Sequence, residues 1–257
     1  MKALIFDCDG VLADTELHGH LVAFNRMWQK ADVPWRWSEQ QYAEKLRIGG
    51  GKERMQALFT EPEFQAVYPV PKDELAQKQL LAEWHSKKTS IYQEIIASGN
   101  VPGRIGVKKL AEEALAAGWR LGVASTSAKP SVDAVLRFTV GEATAAQFKV
   151  FAGDIVPKKK PAPDIYLFAS RELGVPPDHC IAVEDSRNGL LAAAAAGIRT
   201  IVTTSYFTAD ENFEEAVLVL DSLGDPEGKA CTILANRTGH SIGKYLKATD
   251  LEAILEA

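Results

Sequence analysis

Cysteine is scarce in this chain. Three residues of 257, Cys8, Cys180 and Cys231, show neither metal-site nor disulfide-framework spacing. A disulfide-stapled scaffold and a zinc module are therefore excluded, and a reducing compartment is expected. Cys8 and Cys180 read as small buried hydrophobes; a redox pair of Cys180 with Cys231 is the open alternative. No run approaches the roughly 18 apolar residues of a membrane span, so no membrane partner is expected. Lys and Arg number 29 against 34 Asp and Glu, a net charge of -5. That balance lacks the basic footprint of a nucleic-acid binder. No internal repeat is visible. No leader reads ahead of the first apolar run, which suits a cytosolic protein or a mature organellar one.

What is present is an ordinary globular composition, 46% hydrophobic and 25% charged. The length allows one large domain or two smaller ones. An apolar run at 2–6 predicts a first strand. From 16 to about 93 the chain turns rich in Trp, Gln, Lys and Glu at helical spacing, with no clear strand. Helices are predicted over 18–30, where Leu21, Val22, Phe24, Met27 and Trp28 share a face, and over 39–47, 52–59 and 73–97. Trp28, Trp35, Trp37 and Trp84 read as the core of this insertion. Strand and helix then alternate: helix 107–117, strand 119–124, a helix after Ser125, strand 148–151, helix 163–173, strand 180–183, helix 187–196, strand 199–203 and a short strand at 217–220. The alanine run at 193–196 suits a helix lying close on a sheet. From Asp225 onward the pattern is hard to read; an edge strand and a terminal helix at 249–256 are one solution. The alternation implies an α/β fold, a Rossmann-like doubly wound parallel sheet with an inserted all-helical domain. Residues 1–15 and 98–257 would form the core and 16–97 the insertion.

Four segments carry unusual chemistry. Leu4-Ile5-Phe6-Asp7-Cys8-Asp9-Gly10-Val11-Leu12-Ala13-Asp14-Thr15 runs an apolar strand into two acids one residue apart. Unpaired charge beside a core is costly, so the pair needs a purpose. Two carboxylates at a strand's C-terminal end suit a divalent cation and a phosphoryl group. One acid can attack phosphorus while the other moves a proton. Val123-Ala124-Ser125-Thr126-Ser127 ends a second strand in hydroxyls, with Ser127 placed to cap the next helix. Pro157-Lys158-Lys159-Lys160-Pro161-Ala162-Pro163-Asp164 joins a lysine run to a proline-framed loop. Ile181-Ala182-Val183-Glu184-Asp185-Ser186 is another strand ending in paired acids, with Ser186 and Asn188 as helix caps. Clustered, Asp7, Asp9, Glu184 and Asp185 would repel one another without a cation, and hard oxygen donors favour Mg²⁺. Active sites of such sheets lie outside the strands' carboxyl ends, where all four segments fall.

The first segment resembles the first signature of the haloacid dehalogenase superfamily, D-x-D-G-x-[LI]-x-D-[ST], at every position. The other three resemble the remaining signatures, in order. The resemblance implies Asp7 as nucleophile, forming an aspartyl-phosphate, and Asp9 as general acid and then base. It implies Ser125 as the phosphate-binding hydroxyl with Thr126 beside it, and Lys160 on the phosphoryl group, leaving Lys158 and Lys159 solvated. Asp7, Asp9 (through its backbone carbonyl), Glu184 and Asp185 would bind Mg²⁺, Glu184 directly or through water. The insertion resembles the C1 cap, which sets specificity and closes about hinges near 14–16 and 92–102.

Asp14-Thr15-Glu16-Leu17-His18-Gly19-His20, Leu46-Arg47-Ile48-Gly49-Gly50-Gly51-Lys52-Glu53-Arg54-Met55 and Phe151-Ala152-Gly153-Asp154-Ile155-Val156-Pro157-Lys158-Lys159-Lys160-Pro161 narrow the resemblance. They are similar to the CbbY-like proteins of photosynthetic organisms, relatives of β-phosphoglucomutase. This implies a sugar-bisphosphate phosphatase, in the green lineage one that dephosphorylates xylulose-1,5-bisphosphate, an inhibitor of Rubisco in carbon fixation. It also implies the chloroplast stroma of a plant or alga, or otherwise the cytoplasm, and a monomer is expected. The second phosphate needs a cationic holder, for which Lys52, Arg54 and Arg47 are candidates. Glu16 and His20 could read sugar hydroxyls; His85 and Lys88 are weaker candidates. A solvated helix face is the alternative for each. Arg104-Ile105-Gly106-Val107 departs from the family, which often has Pro before this helix. Glu16 stands where β-phosphoglucomutases usually carry a small residue, which favours a phosphatase. A phosphosugar mutase, which shares every core motif, is the rival.

Overall fold

The computed structural model describes residues 1–256. The chain divides into two compact units, Met1–Asp14 with the chain from Pro102 onward, and Thr15–Val101. β1 (Ala3–Phe6) opens the first unit, and the chain then leaves for the second. The second unit starts with a single π-helical turn at Glu16–His20 that runs into α1 (Leu21–Lys30). Helix therefore begins two residues earlier than the apolar spacing indicates. α2 (Glu39–Lys45), α3 (Gly51–Leu58), α4 (Pro62–Val67) and α5 (Glu74–Ala97) follow. Ser38 and Gln41 close a capping box on α2. α4 has no counterpart in the apolar pattern; Pro62 in its first turn is its one local sign. Trp28, Trp37 and Trp84 are buried, as their spacing predicts. Trp28 and Trp37 meet edge to face at 4.6 Å, a geometry worth about 0.5–1.5 kcal/mol beyond burial. Trp35 is half-buried, edge-on to Phe64 at 5.2 Å. Because α5 stays helical to Ala97, residues 92–97 cannot serve as a hinge; the second connection is confined to 98–101.

The first unit resumes with α6 (Val107–Ala116), β2 (Arg120–Ser125), α7 (Lys129–Val140), the single turn α8 (Glu142–Ala145) and β3 (Phe148–Ala152). Then come α9 (Asp164–Leu173), β4 (Cys180–Glu184), α10 (Arg187–Ala195), β5 (Arg199–Thr203), β6 (Leu218–Leu220), β7 (Ile233–Asn236) and α11 (Ala248–Glu256). They form one seven-stranded sheet of order β3-β2-β1-β4-β5-β6-β7. Six strands are parallel, and β7 pairs antiparallel with β6 across a bulge. The segment that is hard to read thus supplies an edge strand and the terminal helix.

Ala3, Ile5, Cys180 and Ala182 join α9 and α10 in one apolar cluster, where Ala192 and Ala193 let α10 lie close to the sheet. Strand alternation turns Leu4 and Phe6 to the opposite face, and they are equally buried. Burial pushes the Cys180 thiol up to about 11, which keeps it inert. In the segment before α6, Arg104 donates to the carbonyls of Thr204 and Asp221 at 2.6 and 3.1 Å and pairs with Asp14 at 3.3 Å. It ties the returning chain to the carboxyl ends of β5 and β6. Phe6 stands in register with Val123 on one side and Val183 on the other. β2 runs on to Ser125 and β4 to Glu184, so the residues that follow β1 emerge beside the ends of both, at the point where strand order reverses.

Candidate active site

Asp7 directly follows β1, and its backbone N–H donates to Val183 O at 2.9 Å. That bond carries the β1–β4 pairing one residue further and sets where the carboxylate emerges. Lys160 Nζ donates to Asp7 Oδ1 at 2.7 Å, Glu184 Oε1 at 2.5 Å and Ala124 O at 2.9 Å. The Tyr166 hydroxyl oxygen lies at 3.4 Å as a fourth, longer contact, so the three protons of the ammonium are fully engaged. The buried Tyr166 hydroxyl, on the first turn of α9, donates to the same Glu184 oxygen. Its ring centre lies 4.9 Å from Nζ. Glu184 Oε2 accepts from the Asp185 N–H at 3.3 Å. One oxygen each from the buried Asp7, Glu184 and Asp185 lies within 4.8 Å of the others. Three hard carboxylates at that spacing fit Mg²⁺.

Two glycines make the cluster sterically feasible. Gly10 has φ +80, and a Cβ there would land 2.1 Å from Asp185 Oδ2. A Cβ on Gly189 would land 2.0 Å from Glu184 Oε2. The charge balance is tense. Burial pushes the Asp7 carboxyl up to about 7; Lys160 pulls it down, while Glu184 and Asp9 push it further up. Burial disfavours the Lys160 ammonium, yet Asp7 and Glu184 hold its pKa well above the ordinary lysine range. A bound divalent cation would relieve the repulsion among these acids.

Ser127 does not cap α7 as its position suggests. The cap position is Ala128, with no side-chain cap, and the Ser127 hydroxyl donates to Asp9 Oδ2 at 2.5 Å. Ser125 is buried at the end of β2, its Oγ accepting from the Ser127 N–H at 3.1 Å, with Thr126 half-buried beside it. Ser186 does cap α10, accepting from the Gly189 N–H at 3.2 Å. Lys158 is exposed, and Lys159 reaches Asp154 at 3.5 Å.

The inserted unit gathers two further groups. Tyr42 donates its hydroxyl to Glu16 Oε2 at 2.5 Å and accepts from Arg54 Nη1 at 2.9 Å. Arg54 also donates to Ile48 O at 3.0 Å. Elsewhere, His20 is buried and stacked on Tyr92, ring centres 4.1 Å apart. Its Nδ1 lies 2.6 Å from the Nζ of buried Lys88, which faces the Phe24 and Tyr92 rings at 4.7 and 5.1 Å. A solvated helix face is thus wrong for Glu16, His20, Arg54 and Lys88, because each turns toward partners inside the unit. Arg47 and Lys52 are exposed, and His85 is half-buried.

Residues 1–197 match the haloacid dehalogenase-like hydrolases. The chain belongs to that family. Within it, a CBBY-like protein of Arabidopsis thaliana is 47% identical over 228 residues, covering 88% of this chain and 70% of the relative. CbbY from Rhodobacter sphaeroides, solved in complex with phosphate, matches with a TM-score of 0.76 at 40% identity, covering 86% of this chain and 94% of that one. A variant of that protein was solved with xylulose-(1,5)bisphosphate and matches with the same TM-score at 39% identity. A β-phosphoglucomutase from Clostridium difficile matches at 25% identity with a TM-score of 0.65, covering 86% of this chain and 91% of its own. This haloacid dehalogenase-like hydrolase is a CbbY-like phosphatase, with the Rossmann-like sheet and helical insertion of its relatives.

Sequence reasoning about the hydrolase misses Tyr166, Gly189, Tyr42 and the Ser127–Asp9 bond. Tyr166 shares the apolar face of α9 with Ile165, Ala169 and Leu173, so it passes for core. Gly189 sits one turn after the acids of β4, where helix propensity disfavours glycine. That misfit is its signal.

Proposed function

We propose that this hydrolase is a Mg²⁺-dependent sugar-bisphosphate phosphatase that converts xylulose-1,5-bisphosphate to xylulose-5-phosphate and inorganic phosphate. The observation that carries this reading is the Lys160 ammonium between Asp7 and Glu184 at the sheet's switch point. Lys160 holds Asp7 Oδ1, which leaves Oδ2 to attack phosphorus. As that bond forms, the phosphorus–oxygen bond to the sugar breaks, and Asp9 gives its proton to the departing alkoxide. The Ser127 hydroxyl at Asp9 Oδ2 holds the carboxyl group that moves this proton. Asp9, now a carboxylate, takes a proton from the water that attacks the aspartyl-phosphate. Asp7 departs with the bond's electron pair, and phosphate is released. Ser125 and Thr126 receive phosphoryl oxygens, and Lys160 offsets the charge that spreads over them. Asp7, Glu184, Asp185 and the Asp9 backbone carbonyl would hold Mg²⁺, which supplies charge neutralisation between these acids and the phosphoryl group.

Arg54, Lys52 and Arg47 are the proposed holders of the second phosphate, with Glu16 and His20 reading sugar hydroxyls. The relative solved with xylulose-(1,5)bisphosphate supports this substrate, and the Arabidopsis relative supports a plant-type setting. The same reading puts the enzyme in the chloroplast stroma of a plant or alga, as a monomer, removing an inhibitor of Rubisco. The test is phosphate release from a panel of sugar phosphates, with EDTA and Asp7→Asn as controls. The panel includes xylulose-1,5-bisphosphate, ribulose-1,5-bisphosphate, fructose-1,6-bisphosphate and β-glucose-1-phosphate. Preference for the first, abolished in both controls, is expected. Conversion of β-glucose-1-phosphate to glucose-6-phosphate without phosphate release would make the enzyme a mutase.

A further inference from the structure

We infer that Tyr166 is a positioning residue, which holds Glu184 so that one carboxylate oxygen serves Lys160 and the other stays free for the cation. The inference rests on the phosphatase reading above. Tyr166 is fully buried on the apolar face of α9, beside Ile165 and Ala169. Packing there needs a ring but no hydroxyl. The hydroxyl nevertheless donates to Glu184 Oε1 and lies 3.4 Å from Lys160 Nζ. Lys160, Glu184 and Tyr166 therefore form a closed triangle, with Asp7 bound at its lysine corner.

The terminal torsion of a glutamate is soft, so a carboxylate is aimed by what grips it. Two donors converge on Oε1, whereas Oε2 has one long contact, to the Asp185 N–H. Tyr166 thus sets the rotation of the Glu184 carboxylate, which lies in the space that a side chain at position 189 would otherwise fill. Without the hydroxyl, Lys160 alone would grip Oε1, and both Glu184 and Lys160 would lose orientation relative to Asp7. Partners of metal-ligating side chains cost about 10–100-fold in affinity or activity when removed.

The experiment compares wild type and Tyr166→Phe by calorimetric titration of the substrate-free protein with Mg²⁺, and by turnover at several Mg²⁺ concentrations. The Mg²⁺ dissociation constant should rise about tenfold and kcat fall about tenfold, with KM changed by less than about twofold. A purely structural hydroxyl would lower the melting temperature while leaving Mg²⁺ affinity and kcat within about twofold of wild type; that result overturns the inference. If Tyr166→Phe does not fold, Tyr166→Met refills the space with a flexible apolar chain and is measured the same way. A wild type that binds Mg²⁺ but does not hydrolyse the sugar bisphosphate would sink the proposed substrate, and the Mg²⁺ titration would still decide the role of Tyr166.

Discussion

Each unit of this hydrolase turns a lysine side chain inward, and the two meet different partners. Lys160 is met by full anions, Asp7 and Glu184. Lys88 is met by the faces of Phe24 and Tyr92 and by a ring nitrogen of His20. Desolvating an ammonium costs several kcal/mol, which its partners must offset. Cation–π contacts return up to about 2 kcal/mol each when desolvated, while carboxylates return more but leave their own charges crowded. An ammonium among anions is poised to exchange partners with a phosphate. The Lys88 amine, among rings, instead meets a ring nitrogen of its neighbour His20. Both lysines come from runs whose other members stay at the surface: Lys87 pairs with Glu83 at 2.6 Å and Lys159 with Asp154 at 3.5 Å.

The harshest way to probe this contrast is to remove the nucleophile beside Lys160. Asp7→Asn should lower kcat by at least about 10⁴-fold while calorimetry still detects substrate binding. A loss below about tenfold would remove Asp7 from the chemistry. Substituting the lysines themselves sharpens the comparison. Lys160→Met should cost about 10²–10³-fold in kcat. Lys88→Met should cost no more than about tenfold and act mainly on KM. Equal losses in the two variants would erase the distinction.

The glycines under the acidic cluster come next. Gly10→Ala combines a positive φ with a Cβ 2.1 Å from Asp185, whereas Gly118→Ala has φ +79 and open space. Gly118→Ala should cost about 1–2 kcal/mol, the backbone strain alone. Gly10→Ala should cost more, and should also weaken Mg²⁺ binding. Equal melting temperatures in the two variants would mean that Asp185 yields freely.

Proton linkage gives a smaller effect. Burial first, with Glu184 and Asp9 adding to it and Lys160 opposing, raises Asp7 from 3.8 to about 7. An acid raised on folding resists ionisation in the folded state. Its contribution to the stability of the metal-free protein therefore falls as pH rises from about 4 to about 7. Mg²⁺ favours the ionised form, so added Mg²⁺ should raise the melting temperature more at about pH 8 than at about pH 5. A shift independent of pH would contradict this. The smallest effect is expected far from the lysines, at Asp221. Burial works against its ionisation, but Lys229, the N–H and hydroxyl of Thr232 and the Ser222 hydroxyl hold it at about 2. An acid lowered on folding stabilises above its ordinary range, and that contribution is lost as pH falls from about 4 to about 2. Asp221→Asn should flatten the acid melt over this interval only, as followed by circular dichroism.

Much of the core was legible because its signals are local. Strands β1, β2 and β4 are short apolar runs, and acids or hydroxyls at the end of an apolar run are conspicuous in one dimension. The Lys160 loop is framed by two prolines. The insertion was legible as helix but not as a site. Arg54, Lys52 and Arg47 look alike in sequence, yet only Arg54 turns inward, onto Tyr42 and Ile48 O. His20 and Lys88 lie 68 residues apart, and helical spacing cannot say that they touch. α4 escaped notice because six residues hold too few turns to show a period.

By itself the amino-acid order determined the alternation of strand and helix, the insertion after β1 and the identity of the charged groups at the strand ends. Hydrophobic period, glycine and proline positions and side-chain chemistry are properties of neighbouring residues, and they survive without a fold. Only the tertiary structure decided which lysine of each run turns inward, that Ser127 serves Asp9 rather than α7, and that Tyr166 grips Glu184. Those outcomes depend on which distant carboxylate or ring arrives at the same place when the parallel strands align and the helices pack.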